Sequence, residues 1–230
     1  MNTIFCEVIV NIVLIVDHRP AFARLLEARL RASLNFQRIV YLTTAYECWH
    51  QTLLPEPYLI VMGIWYDDGN GLELCLHLIQ RSPHHTVLFW TEQYTPPAIF
   101  EAHQVGAAGI VAKRHTLTRI LSTIHNAQSG KPLWTQRQYR MMHQWQSEVL
   151  NPLSVLTERE TQIATTLALR RTNREIADHF YVSERTVEGH VSRILEKMSF
   201  ATRIELAQWA ERVKWDQWIR FRQGLKNFYP

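Results

Sequence analysis

The stretch YLIVMGIWYDDGNGLEL, from Tyr58 to Leu74, contains the pattern that decides the fold. Residues 58–64 form an apolar run, which is typical of a strand buried on both faces of a sheet. The polar residues 67–70 interrupt that run and predict a loop. A helical pattern begins at Gly71. A buried strand followed by a loop and a helix is the repeating unit of a parallel α/β sheet, so this stretch predicts that class of fold.

The same alternation extends from residue 8 to about residue 128. Apolar runs predict strands at 12–16, 39–43, 58–64, 87–91 and 109–112. Helical patterns lie between and after them, at 21–33, 45–54, 72–81, 97–105 and 117–128. Such an order predicts right-handed β-α-β units around a five-stranded parallel sheet.

The composition is that of a folded protein rather than a disordered or membrane-spanning one. The chain has 230 residues, of which 47% are hydrophobic and 20% charged. No apolar stretch reaches the roughly 20 residues of a membrane span, and the N-terminal residues lack the basic start of a signal peptide. The three cysteines lie far apart, which favours a reducing compartment. We therefore expect a soluble protein of the cytoplasm without membrane contact.

The strand pattern stops after Gly130. Residues 130–153 contain Pro132 and Pro152 and predict a linker with one short helix. From residue 156 onward the pattern is helical. Two helix starts there have the capping-box spacing, Thr157 with Glu160 and Thr172 with Glu175,. A third helix starts at Ser183, a good N-cap residue, and continues without a breaker.

Periodicity assigns the faces of these three helices. The predicted inward residues are Ile163, Ala164, Leu167, Ile176, Ala177, Phe180, Val187, Val191, Ile194 and Met198. The opposite face of the third helix presents Arg185, Glu188, Gly189, Ser192, Arg193 and Glu196. Two helices joined by the short turn Tyr181-Val182, the second with small and polar groups outward, are typical of a helix-turn-helix that enters a major groove. The net charge of +4, with most of the excess after residue 150, gives this interpretation mild support,.

The motifs LTERE, TNREIA, VSERTVEGHV, RILEKM and TRIELAQWA, within residues 156–210, resemble the LuxR/NarL family of DNA-binding domains. The resemblance implies an all-α domain of four helices that dimerises on double-stranded DNA through the helix containing 203–210. By position it implies phosphate contacts at Thr172, Asn173, Arg174 and Thr186. It implies base contacts at Glu188, Gly189 and Ser192, with Arg185 and Arg193 on the same face.

Two residues depart from the family pattern. Members usually have a lysine where this chain has Glu188, and a basic residue is common at the position of Ser192. A glutamate repels phosphate but can accept a hydrogen bond from cytosine N4. Gly189 within the helix costs about 1 kcal/mol relative to alanine. We expect an altered site preference and weaker intrinsic affinity.

The N-terminal half resembles the receiver domain of two-component response regulators, which has the CheY-like (flavodoxin-like) fold. The supporting segments are LIVDH, LIVMG with NGLEL, VLFWTE and GAAGIVAK. A receiver accepts a phosphoryl group on an aspartate beside bound Mg²⁺. By position the resemblance assigns this vestigial site to Asp17, His18, Gly63, Thr91 and Lys113.

Glycine at position 63 provides no nucleophile, and the imidazole of His18 is a poor magnesium ligand. The usual loop proline is Asp67, and the usual switch aromatic is Ile110. Three interpretations of the remaining residues stay open. Lys113 and Asp17 form an ion pair and Thr91 caps a strand end; or Asp67 or Asp68 acts as a substitute acceptor; or the less anionic pocket admits a protein or small-ligand partner.

These observations predict four segments: an atypical receiver (1–129), a linker (130–153), a LuxR-type domain (154–211) and a helical extension (212–230). The extension has an apolar stripe at Trp218, Phe221, Leu225 and Phe228, which must be buried against something,. We expect a dimeric, phosphorylation-independent DNA-binding regulator, not an enzyme, with no metal or cofactor. The alternative is a protein-interaction adaptor with weak or no DNA binding, and a third hypothesis is a phosphorylated regulator.

Overall fold

The computed structural model describes residues 11–53, 56–129, 131–215, 219 and 221. The described residues up to Tyr139 form one compact unit, and those from Arg140 onward form a second. Each unit has its own set of buried hydrophobic residues. In the described part of the chain no helix is long and apolar enough to cross a membrane.

The first unit is built on a parallel sheet of five strands in the order β2-β1-β3-β6-β7. Its strands are β1 (Ile12–Val16), β2 (Arg38–Leu42), β3 (Tyr58–Met62), β6 (Thr86–Thr91) and β7 (Gly109–Ala112). The central strands β1 and β3 pair in register from Ile12 with Tyr58 to Val16 with Met62. Both are almost fully buried because helices cover both faces of the sheet,. The predicted fold class is confirmed.

Five helices alternate with these strands. They are α1 (Pro20–Ser33), α2 (Ala45–Gln51), α3 (Gly71–Arg81), α4 (Pro96–Gln104) and α5 (Leu117–Gln128). On one face, Leu26 and Leu30 of α1 pack with Ile120 and Ile124 of α5 over the strands. The bounds agree with the sequence pattern within a few residues, since the apolar runs and the strands coincide.

The sequence did not predict the hairpin between β3 and α3. Strands β4 (Trp65–Tyr66) and β5 (Gly69–Asn70) pair antiparallel. The hairpin ends β3 at Met62, two residues before the predicted end at Ile64. Two-residue strands are too short to give a periodic signal, so only the turn residues between them were visible in the sequence.

The predicted linker is more helical than expected. It contains α6 (Gln136–Trp145), a π-helical turn (Gln146–Leu150) and α7 (Asn151–Ser154). Pro152 lies in α7 directly after the π-helical turn, and it does not end the helical run. Before α6, Trp134 Nε1 donates to Ala107 O at 3.1 Å and attaches this segment to the sheet unit.

The second unit consists mainly of α8 (Glu158–Ala168), α9 (Asn173–Phe180), α10 (Glu184–Lys197) and α11 (Arg203–Arg212). Both predicted capping boxes are present, and the Ser183 hydroxyl accepts from Thr186 N at 3.1 Å. The predicted inward residues are buried except Phe180 and Val191, which are half-buried. Trp215 and Phe221, beyond α11, are also buried. Trp218, Leu225 and Phe228 of the predicted stripe lie outside the described residues.

Four helices of this unit end without a glycine. The residues with left-handed backbone are Arg170 (φ 59°), Tyr181 (φ 55°), Ser199 (φ 58°) and Lys214 (φ 53°). They follow α8, α9, α10 and α11. Glycine is the usual residue at such positions because a Cβ atom is strained there.

Candidate functional site: a sheet edge and a helix-turn-helix surface

The carboxyl ends of the central strands bring the predicted receiver residues together. Asp17 and His18 follow β1, Gly63 follows β3, Thr91 ends β6, and Lys113 follows β7. Lys113 N donates to Thr91 O at 2.7 Å, which aligns the last two of these strand ends. Ligand sites of open parallel sheets form at this edge.

Asp17 and Lys113 form a buried ion pair at this edge. Lys113 Nζ donates to Asp17 Oδ2, and the exposed fractions of the two side chains are 5% and 2%. The ammonium also lies 5.4 Å from the Trp90 ring centre and 5.5 Å from that of Phe22. Burial lowers the pKa of Lys113, whereas the hydrogen bond that Lys113 donates to Asp17 opposes that shift,. The structure thus shows the ion pair that the sequence suggested for these residues.

Arg19 adds a second charge beside this pair. Its backbone N–H donates to Asp17 Oδ1 at 3.0 Å, and its Nη1 donates to Glu92 Oε1 at 2.5 Å. The hydrogen bond from Arg19 lowers the pKa of Glu92. His18 is half exposed, with Nδ1 3.9 Å from Asp17 Oδ1. The cations Lys113 and Arg19 therefore each have a carboxylate partner.

Tyr66 lies beside Gly63. Gly63 N donates to Tyr66 Oη at 2.6 Å, and Tyr66 Oη donates to Val16 O at 3.0 Å. A Cβ atom at Gly63 would lie 3.5 Å from this phenol oxygen, an ordinary van der Waals distance. Burial raises the pKa of Tyr66 well above its usual value. The phenol thus joins the ends of β1 and β3 next to the position that has no side chain.

The two loop aspartates have different surroundings. Asp68 accepts from Ala45 N at 3.1 Å and from Tyr46 N at 2.9 Å, so its carboxylate caps the start of α2. Asp67 is exposed. The Thr91 hydroxyl accepts from Gln93 N at 3.0 Å, just beyond the strand end. Asp68 and Thr91 therefore both bind backbone N–H groups.

In the second unit, α9, a short turn and α10 form a helix-turn-helix. Every predicted DNA-contact residue lies on these two helices or at their starts, and the side chains of Arg174, Arg185, Glu188, Ser192 and Arg193 are exposed. The hydroxyls of Thr172 and Thr186 bind within their own caps, Thr172 to Glu175 and Thr186 to Ser183. Backbone N–H groups and exposed cations at such helix starts suit contact with phosphates.

Gly189 lies next to Arg193 on the outer face of α10, and the distance between them would also admit a Cβ atom. A Cβ atom at Gly189 would lie 3.6 Å from Arg193 Nη2. Glu188 is exposed on the same helix. The surface therefore alternates positive and negative side chains rather than presenting a uniform cationic stripe.

Two polar contacts hold this domain together. Lys197 Nζ donates to Glu160 Oε2 at 2.7 Å, and that carboxylate also closes the cap at Thr157. The bond from Lys197 is the main reason that the pKa of Glu160 falls to about 2. Arg203 of α11 donates to Asn173 Oδ1 at 3.3 Å and to Arg171 O. Arg203 therefore fixes the start of α9, where the predicted phosphate contacts lie.

Comparison with known proteins assigns both units to one architecture. Residues 13–125 match the response regulator receiver domain, and residues 154–210 match the bacterial regulatory proteins of the luxR family. DNA-binding transcriptional activator DevR/DosR of Mycobacterium tuberculosis is 30% identical over 69% of this chain and 75% of its own length. The chain belongs to the LuxR family of response regulators. Members of this family are DNA-binding transcription regulators.

A second relative and a solved structure are also similar to this chain. Transcriptional regulatory protein LnrK of Bacillus subtilis is 29% identical over 68% of this chain and 76% of its own length. A solved structure of the two-component response regulator RcsB with DNA covers 88% of this chain and 98% of its own, with a TM-score of 0.58. At 16% identity that likeness concerns the fold.

Sequence patterns did not identify several residues that make contacts at the sheet edge and in the helical unit. Arg19, Glu92 and Tyr66 complete the sheet edge, and Lys197 and Arg203 complete the helical unit. The Glu160 and Lys197 positions were visible in the motifs LTERE and RILEKM, but nothing in the sequence indicates that they contact each other. Tyr66 had no signal, because its role depends on the unpredicted hairpin.

Proposed function

We propose that the chain binds promoter DNA as a homodimer through α9 and α10, and that it does so without phosphorylation of its receiver. Such a regulator acts in the cytoplasm, where the chromosome lies. The observation that carries the proposal is the helix-turn-helix of α9 and α10, on which the side chains of Arg174, Arg185 and Arg193 are all exposed. Phosphate contacts would supply affinity, and the outer face of α10 would supply sequence choice.

Two observations support a homodimer: the resemblance to the LuxR/NarL family, which implies dimerisation through the helix containing 203–210, and an exposed apolar side chain on that helix, α11. Ile204 on this helix is 61% exposed, and a second copy that packs on α11 would cover it. Two copies would present two recognition helices to a repeated DNA sequence.

DNA binding is tested by salt dependence. Affinity for a labelled mixed-sequence duplex, measured by fluorescence anisotropy, should fall steeply between about 50 and 200 mM salt because bound cations displace counterions from phosphates. Replacing Arg174 by alanine should weaken binding several-fold and reduce the logarithmic salt slope by about 1. Arg24→Ala, an exposed arginine of α1, is the control and should change neither value. Equal binding by Arg174→Ala and the control would contradict the proposed surface.

Phosphorylation independence is supported by the sheet edge. Gly63 has no side chain, Asp17 is bound to Lys113, and Asp68 is bound to the start of α2. The protein incubated with acetyl phosphate and Mg²⁺ should show no phosphoryl adduct by intact-mass spectrometry, and its DNA affinity should stay the same. A stoichiometric adduct on any carboxylate would overturn this part of the proposal.

Glu188 favours the second candidate function, a protein-interaction adaptor. Its carboxylate projects from α10, where a cation would strengthen DNA contact. An adaptor would show flat salt dependence, and Arg174→Ala would not alter its activity. At the receiver edge, the pairing of Lys113 and Arg19 with carboxylates favours a protein partner on the surface over a small anion in a pocket.

A further inference from the structure

Tyr181, in the turn between α9 and α10, is exposed and has a strained backbone. Its φ and ψ of 55° and 46° are left-handed, and its side chain makes little contact with the rest of the protein, since the residue is 95% exposed. A bulky residue in this conformation is a genuine outlier. Such strain persists where the surrounding structure enforces it, and it is concentrated at functional positions.

Packing within the protein does not explain why position 181 has a tyrosine. The cap of α9 needs only the backbone of this residue, because Tyr181 N–H donates to Ala177 O. Glycine would make the same cap without strain. The aromatic ring is almost wholly in water, so its burial among the described residues contributes little to stability. A tyrosine here is therefore a net cost to the isolated protein, which points to a role outside it.

The position of Tyr181 indicates what it would contact. It lies two residues before Ser183, the N-cap of α10, and so at the end of α10 that presents exposed Arg185 and Thr186. A cation is fixed at the same turn, because Arg159 Nη2 donates to Phe180 O at 3.3 Å and the guanidinium lies 4.3 Å from the Phe180 ring centre. A phenol hydroxyl and a guanidinium at the same turn are both hydrogen-bond donors suited to phosphate oxygens.

We propose that Tyr181 is a DNA-contacting residue whose phenol hydroxyl donates to a backbone phosphate beside the groove that α10 enters. This inference rests on the proposed function and deepens it. The contact is independent of base sequence, so it adds affinity without altering the preferred site. It also compensates for Glu188, which lowers the attraction of α10 for phosphates. The strain at Tyr181 is then retained because the ring is needed in the complex.

The test separates strain from contact. Tyr181→Gly should raise the midpoint of thermal unfolding by a few degrees, because it relieves the left-handed strain. The same variant should bind a labelled mixed-sequence duplex about three- to tenfold more weakly at moderate salt, as expected for one lost hydrogen bond. Tyr181→Phe, which removes only the hydroxyl, should show most of that loss in affinity with no gain in stability.

Ser199→Gly is the matched control. Ser199 is uncharged, exposed and left-handed, and it follows the opposite end of α10. Its replacement should also raise stability but leave DNA affinity unchanged. If Tyr181→Gly gains stability and binds DNA like the wild type, Tyr181 is only a strained cap and the inference is wrong. If the wild type itself does not bind the duplex, the proposed function is wrong and the inference is wrong with it.

Discussion

At the scale of single residues, Glu160 shows how a polar side chain in a family motif can serve structure rather than binding. It is 3% exposed, yet it closes the α8 cap and binds Lys197 of α10. One carboxylate therefore holds the start of the domain to the end of its recognition helix. Both contacts are made to the ionised carboxylate, so the stabilisation that Glu160 provides depends on its charge.

The pKa of Glu160 predicts a pH dependence of folding. That pKa is lowered from 4.5 to about 2, so the stabilisation is fully present above the unfolded-state value and is lost as pH falls from about 4.5 towards 2,. Glu160→Gln should be less stable than the wild type at neutral pH and should lose less stability over that acidic range. Urea denaturation at several pH values measures both effects. Glu158→Gln, an exposed neighbour, is the control, and an unchanged pH slope in Glu160→Gln would contradict the assignment.

At the scale of secondary-structure elements, the hairpin β4–β5 does more than connect β3 to α3. It places Tyr66 against the ends of β1 and β3, and it places Asp68 at the start of α2. The hairpin is thereby bound to three regular elements through their backbone N–H and C=O groups.

Asp68 should stabilise α2 as an added N-terminal cap. Asp68→Ala removes two hydrogen bonds and a negative charge from the helix start, and should cost about 1 kcal/mol of unfolding free energy. Asp67→Ala, at the exposed neighbouring aspartate, should change stability by less than about 0.5 kcal/mol. Chemical denaturation of the two variants provides the comparison. Equal losses would show that the cap adds nothing.

The elements themselves were largely predictable, because buried parallel strands and capped amphipathic helices leave periodic patterns. The buried positions Ile163, Ile176 and Val187 were correctly assigned for that reason. The hairpin and the π-helical turn were missed, since each is too short to show a periodic pattern. The ion pair of Asp17 with Lys113 followed from the strand ends, whereas the Tyr66 contacts and the pair of Glu160 with Lys197 join residues whose distance no local pattern specifies. The DNA-contact residues remain a prediction.

At the scale of the whole molecule, two cores are stabilised by different polar pairs. Lys113 and Asp17 lie in the sheet unit, and Lys197 and Glu160 lie in the helical unit. Neither pair shares a partner with the other. We therefore expect the two units to respond separately to the loss of either pair.

Scanning calorimetry should resolve this separation. Lys113→Met leaves Asp17 buried without its main partner and should destabilise the sheet unit by about 3 kcal/mol, moving one unfolding transition to lower temperature. The transition of the helical unit, and with it DNA binding, should stay in place. The double variant Asp17→Asn with Lys113→Met should recover part of the loss. A single cooperative transition that shifts as a whole would show that the units do not unfold separately.

The cation that neutralises Asp17 is a side chain of the same protein, Lys113. The occupancy of a free cation at Asp17 would vary with the ionic composition of the cell. The ammonium of Lys113 is part of the chain, so its effective concentration beside Asp17 is constant,. We therefore expect the sheet edge to keep its shape when free magnesium or a chelator is added. If the receiver is not phosphorylated, as proposed, control over this regulator would come from its abundance or from what binds to it.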